Sequence, residues 1–149
     1  MNITWNKIEK YSEELAEKVK NSNYKCDAII GIASGGLIPT TLLSKILKIK
    51  KVGLFCAKSY CDKKRCTLQI ISKPQINLEG ENVLLVDDLV DSGVTIEWIK
   101  NLLFSEYKVK DVKVAVYFVN KEHCKKYPDF YIKENKGWIV FPWERKENN

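Results

Sequence analysis

The chain has 149 residues, of which 45% are apolar and 30% charged, enough for one globular domain that buries a continuous core without cross-links or metals. No apolar run approaches the roughly 18 residues of a membrane span, and Met1–Lys10 lacks the apolar stretch of a signal peptide, so a soluble, cytoplasmic protein is expected. A net charge of +6 and a pI near 9.0 attract anions, either a phosphorylated small molecule or a nucleic acid; the lysines are spread from Lys7 to Lys146 rather than gathered in a stripe, so no nucleic acid is expected.

In chain order, Trp5–Lys20 sets Trp5, Ile8, Leu15 and Val19 at largely helical separations among acids and lysines, which predicts an amphipathic packing helix. Ala28–Ile32 is a short apolar run ending in Ala33-Ser34-Gly35-Gly36, and a helical pattern follows from Leu37 to Leu47. Strand, small-residue turn and helix are predicted there. Val52–Ala57 reads as a second strand, Lys58–Cys66 as a polar loop and Thr67–Ile71 as a third strand. Lys73–Asn82, with Pro74 and Gly80, is a connection. Val83–Val86 is apolar on both faces, as a buried parallel strand is, and runs directly into Asp87 and Asp88. Val94–Phe104 returns to helical spacing, Val112–Val119 is a further strand, and Phe130–Ile132 adds another before a tail that carries Trp138, Ile139, Pro142, Trp143 and Glu144. Trp143 reads as core packing.

Strands alternating with helices at these spacings predict an α/β fold. It is a single domain with a mainly parallel, twisted sheet, helices on both faces, and ligands bound beyond the carboxyl ends of the strands. Gly35-Gly36 and Asp87-Asp88 both fall at such ends. The five cysteines, Cys26, Cys56, Cys61, Cys66 and Cys124, are odd in number and contain no C-x-x-C pair, so reduced thiols are expected throughout. His123 beside Cys124 offers too few ligands for a metal and reads as surface loop.

The most informative stretch is Val83–Thr95. Ser92, Gly93 and Thr95 sit where a loop turns into a helix, so backbone N–H groups, hydroxyls and the positive end of the helix dipole can hold a phosphate. The carboxylate pair just upstream would repel a simple phosphate unless the ligand also carries hydroxyl donors or a metal ion. Ribose 5-phosphate meets that condition: two vicinal hydroxyls for Asp87 and Asp88, a phosphate for the loop, and Asp91 left to face the anomeric carbon or an incoming base. No G-x-x-x-x-G-K-[ST] occurs, and Gly31, Gly35 and Gly36 lack dinucleotide-fingerprint spacing, which disfavours a nucleoside triphosphatase. A phosphoacceptor receiver domain also ends its first strand in paired acids, but here three strands precede the pair. Helix capping alone would explain Asp91 or Ser92, not three acids together.

Val83–Thr95 resembles the signature of the type I phosphoribosyltransferases. Ala28–Pro39 resembles their pyrophosphate loop, and Lys58-Ser59-Tyr60-Cys61 the start of the mobile loop that closes over it. The tail, Trp138-Ile139 with Pro142-Trp143-Glu144, is similar to the purine-binding hood of bacterial xanthine–guanine and hypoxanthine enzymes. The resemblance implies phosphoribosyl pyrophosphate and a purine base as substrates in purine salvage, Mg2+ as cofactor, and a homodimer or homotetramer. It also implies a small C-terminal hood from residues 120–149. Carried over, Asp87 and Asp88 bind the ribose hydroxyls and magnesium, Ser92, Gly93, Val94 and Thr95 the 5′-phosphate, and Ser34, Gly35 and Gly36 the pyrophosphate. Lys58, Ser59 and Tyr60 belong to the mobile loop. Asp91 handles the purine N7 proton, Trp138 stacks on the base, and the Ile139 backbone meets its edge.

Two positions depart from the family. Ser34 stands where an Arg or Lys often precedes the paired glycines, leaving Lys58, Lys63, Lys64 and Arg65 as nearby cations. The register of the lysine that donates to purine O6 holds Asn120 followed by Lys121, and either is a candidate. Two other readings stay open: a phosphoribosyltransferase for another base, and an RNA-binding regulator built on the same fold.

Overall fold

The computed structural model describes residues 1–63 and 65–144, and of Cys61 the backbone only. Helix α1 (Trp5–Asn21) starts at Thr4, whose hydroxyl accepts the Lys7 N–H, and it buries Ile8, Tyr11, Leu15 and Val19. Trp5, expected on that stripe, is 53% exposed and leans on Trp143 with ring centroids 6.0 Å apart. Buried Ser12 replaces it in the helix–sheet contact: its hydroxyl donates to Ile8 O and meets the Tyr117 hydroxyl at 2.6 Å.

The remaining elements follow as β1 (Ala28–Ala33), α2 (Leu37–Ile46), β2 (Val52–Cys61), β3 (Cys66–Ser72), β4 (Asn82–Val86), β5 (Leu89–Val90), α3 (Val94–Ser105), β6 (Asp111–Asn120) and β7 (Phe130–Asn135). Among the described residues these strands form one seven-stranded sheet ordered β3-β2-β1-β4-β6, with β5 and β7 both paired to β6. Every pairing is parallel except β2 with β3. Because strand side chains alternate between faces, Ile30, Ile32, Val83, Leu85, Val112 and Val114 pack with Ile96, Ile99 and Leu103 of α3. The intervening Ile29, Leu84, Val86, Ala115 and Tyr117 pack with α1 and with Leu43 of α2. A sheet covered on both sides explains the unbroken apolar run of β4, which is buried from Val83 to Val86.

Two expectations change. Lys58–Cys61 continues β2 instead of entering a loop, pairing with β3 through Lys58–Gln69, Ser59–Leu68 and Tyr60–Thr67. Antiparallel backbone pairing holds these polar residues extended where no core contact signals a strand. Cys66 is disulfide-bonded rather than a free thiol, and the hairpin sets its Cα opposite that of Cys61. Cys26, Cys56 and Cys124 are free thiols, as expected. Within the single domain, β7 extends the main sheet, Phe130, Ile139 and Phe141 join the core around α1, and Val140 bridges to Asn2. No helix among the described residues is long and apolar enough to cross a membrane.

Candidate active site

Strand β1 leads through α2 to β2 on one side of the sheet, whereas β4 leads through α3 to β6 on the other. Adjacent parallel strands whose connections diverge leave a crevice beyond their carboxyl ends. Ser34–Gly36 follow β1 and Asp87-Asp88 follow β4; of these, Gly35, Asp87 and Asp88 line the crevice and Ser34 and Gly36 do not. The Ala33–Ser34 peptide is cis. A Cβ on Gly35 would lie 2.5 Å from Asp88 Oδ2, so only glycine lets this backbone rest against the carboxylate. Among the loop amides, that of Gly36 is already occupied, donating to Ile32 O at 2.8 Å.

The acid pair is fixed by the sheet. Asp88 N–H donates to Asp87 Oδ1 at 2.8 Å, and Asp88 O accepts from the N–H groups of Tyr117 and Phe118. Burial first, then the charge of Asp88, holds the Asp87 carboxyl well above the usual carboxylate range. Asp88 is also raised, by burial first, with Glu144 adding to it. Both line a cavity of about 460 Å3 that they share with Asp91 and Glu144, and its described lining contains four carboxylates and no lysine or arginine. A polyanion enters such a cleft only with cations.

The donor set therefore fits a hard divalent ion. No three His, Cys, Asp or Glu side chains among the described residues form a closed metal cage. Mg2+ suits such an arrangement, because it is commonly held by one or two carboxylates and completed by water and substrate oxygens.

The far wall of the cavity is the start of α3. Gly93 is the N-cap, with φ 89° and no side-chain cap, and the first intrahelical bond runs from Glu97 N–H to Gly93 O. Val94 N–H makes only a 3.4 Å contact with Ser92 Oγ. The first-turn N–H groups and the positive dipole end thus face a cleft that Ser92, Gly93, Val94 and Thr95 line together with the acids. From the hairpin, Ser59 reaches this cavity; Lys58 and Tyr60 alternate to the other face of β2. Lys63 and Arg65 are exposed beyond it, and Lys64 lies outside the described residues.

A second cavity, of about 530 Å3, adjoins the first and shares Asp88, Leu89, Asp91 and Glu144 with it. Its other walls include Asn120, His123, Trp138 and Ile139. Trp138 is 79% exposed and Ile139 is buried, whereas Trp143 stacks on Phe141 with centroids 4.8 Å apart and packs as expected. Asn120 Nδ2 donates to Asp91 Oδ1 at 2.8 Å, and His123 Nδ1 lies 2.8 Å from the same oxygen. Lys121 is exposed and does not line the cavity; its backbone N–H donates to Asn135 O. Sequence reasoning missed Glu144 and His123. Glu144 stands in the hood-like tail without a role of its own, beside Trp143, which reads as packing, and nothing local to His123 points to Asp91.

Residues 4–148 match the phosphoribosyl transferase domain. The chain belongs to this family. A xanthine-guanine phosphoribosyltransferase of Cereibacter sphaeroides is 33% identical over 149 residues, covering 95% of this chain and 85% of the relative. Among solved phosphoribosyltransferases, a purine enzyme from Pyrococcus horikoshii superposes with a TM-score of 0.85 at 33% identity, over 96% of this chain and 92% of that one. A Helicobacter pylori xanthine-guanine-hypoxanthine enzyme does so with a TM-score of 0.86 at 27% identity, over 99% and 96%. The fold and the phosphoribosyltransferase activity expected from Val83–Thr95 are therefore those of this chain.

Proposed function

We propose that this phosphoribosyltransferase joins a 6-oxopurine (guanine, xanthine or hypoxanthine) to the ribose 5-phosphate of phosphoribosyl pyrophosphate in purine salvage, releasing the nucleoside 5′-monophosphate and pyrophosphate. The observation that carries the reading is the meeting of two cavities at Asp88 and Asp91. One combines vicinal acids with an amide-lined anion cup; the other has an exposed tryptophan on its rim. The names of the relatives point to the same class of base. An acid-lined cleft is a poor seat for RNA, whose phosphates it would repel.

In this reading Ser92, Gly93, Val94 and Thr95 grip the 5′-phosphate, and Asp87 and Asp88 accept the ribose hydroxyls. Ser34 and Gly35 lie along the departing pyrophosphate. Asp87 and Asp88 would hold Mg2+, which would supply positive charge to the departing pyrophosphate. The purine rests on Trp138, with the Ile139 backbone and Asn120 at its edge. As the C1′–O bond breaks, its electron pair leaves with pyrophosphate and the purine nitrogen attacks C1′. Asp91 takes the proton that the base releases. Carboxylates facing the cation-like ribose stabilise the transition state, because they are oriented before charge develops. Closure of the β2–β3 hairpin through Ser59 would exclude water. Exposed Ile71, Trp98 and Phe104 support a homodimer or homotetramer.

The test is pyrophosphate release from magnesium and phosphoribosyl pyrophosphate with each purine in turn, alongside a pyrimidine. Asp91→Asn should lower kcat by about 10²-fold or more, the scale of a positioned acid–base group, with little change in ribose-phosphate affinity. Thr95→Val should chiefly weaken that affinity. Equal, small effects from both would remove the assigned roles.

A further inference from the structure

We propose that His123 is a positioning residue for Asp91: its Nδ1–H, together with the Asn120 amide, fixes one carboxylate oxygen and leaves the other facing the base. The inference rests on the role given to Asp91 above and deepens it. Both donors converge on Oδ1, at 2.8 Å each, and among the described residues none hydrogen-bonds to Oδ2.

The protonation pattern follows from the contacts. Asn120 Oδ1 accepts from Glu122 N–H at 3.1 Å, which orients the amide and leaves its NH2 for Asp91. An unprotonated Nδ1 set 2.8 Å from a carboxylate oxygen would place two lone pairs against each other, so the ring carries its proton on Nδ1. The 3.2 Å approach of Asn120 Nδ2 to Nδ1 is then a contact between two donors serving one acceptor.

The turn that carries the ring is itself pinned. His123 and Cys124 N–H groups both donate to Asn120 O, and Cys124 is buried with its thiol donating to Lys126 O. Asp91 and His123 come from two segments that the β5–β6 pairing sets side by side, the β5–α3 loop and the turn after β6. Stability does not account for the pair. Its side chains are 63% and 59% exposed, and a contact so open to water stabilises a fold little. Orientation does account for it. A lone aspartate on a loop rotates freely, whereas one with both donors on Oδ1 presents Oδ2 in a single direction, ready to accept the proton that leaves the purine as N–C1′ bonding begins.

His123 is the chain's single histidine, so its ring nitrogens give unambiguous signals in the full-length protein labelled with 15N-histidine. The expected result is a ring that carries a proton on Nδ1 in the wild type and a shifted Nδ1 signal in Asp91→Asn. A neutral wild-type ring protonated on Nε2 overturns the proposal. In turnover, His123→Ala should lower kcat about tenfold, part of the 10²–10⁴ that a positioned acid–base group supplies, without raising KM for phosphoribosyl pyrophosphate. His123→Asn, whose amide nitrogen overlays Nδ1, should recover most of the loss. An alanine variant as fast as wild type, or an asparagine variant as slow as alanine, also overturns it. Turnover only with a non-purine base would overturn the base assignment alone; the ring measurement needs no substrate and decides the clamp separately.

Discussion

A carboxyl group at the floor of a cleft burdens the fold that holds it, and Asp87 shows how. Burial and the charge of Asp88 raise its pKa well above the usual range, so the ionised form is disfavoured in the folded state. Asp87→Asn should therefore raise Tm by a few degrees in metal-free buffer while abolishing turnover. The folded pKa lies above an unfolded value of about 3.9, so the advantage of the variant is full above the folded value, shrinks as pH falls through it, and is gone near pH 4. Calorimetry of both proteins across that range reads it directly. A difference in Tm that does not change with pH would mean that the amide acts by something other than ionisation.

Elements differ in how openly the sequence declares them. Strand β4 is legible because burial on both faces leaves no polar position between Val83 and Val86, and the acids that end it stand out by contrast. The outer half of the β2–β3 hairpin is not, since Lys58–Cys61 is held by cross-strand backbone bonds that leave no trace in hydropathy. Strand β5, two residues paired to β6, is too short for any period. His123 is illegible for another reason: its partner is 32 positions away, and only the placement of two loops at one pocket rim joins them. The turn into α3 is the opposite case, since Ser92-Gly93 announces its geometry. At Gly93 a Cβ would meet nothing closer than 3.8 Å, yet φ is 89°, so Gly93→Ala carries a backbone cost alone, about 1–2 kcal/mol. Relaxing that φ would turn the first amides of α3 away from the cleft. The expected outcome is a several-fold rise in KM for phosphoribosyl pyrophosphate with kcat less affected, measured beside a modest fall in Tm. A lowered kcat at unchanged KM would place the loop's role in the chemical step instead.

At the scale of the whole molecule the sheet has two ends with separate tasks. The carboxyl end holds the crevice; the amino end is tied by Tyr24, whose hydroxyl donates to Val83 O at 2.9 Å and approaches Asp111 O at 3.3 Å, spanning the starts of β4 and β6. Burial, reinforced by Asp111 and other nearby acids, pushes its pKa up, so the hydroxyl keeps its proton and its bond through the neutral range. Tyr24→Phe leaves the ring in place and removes that bond. A typical hydrogen bond contributes about 1 kcal/mol, and for a chain of this size that lowers Tm by roughly 2–4 °C. Because Tyr24 touches the two strands at the end remote from Asp87 and Asp88, kcat and KM should not change. Asp87→Asn is expected to do the reverse, gaining Tm and losing turnover. Measured together, the two variants separate the strain of the site from the support beneath it. If Tyr24→Phe lowered kcat in step with Tm, the amino end of β4 would be setting the position of the acids at its other end, and the division between the two ends would fail.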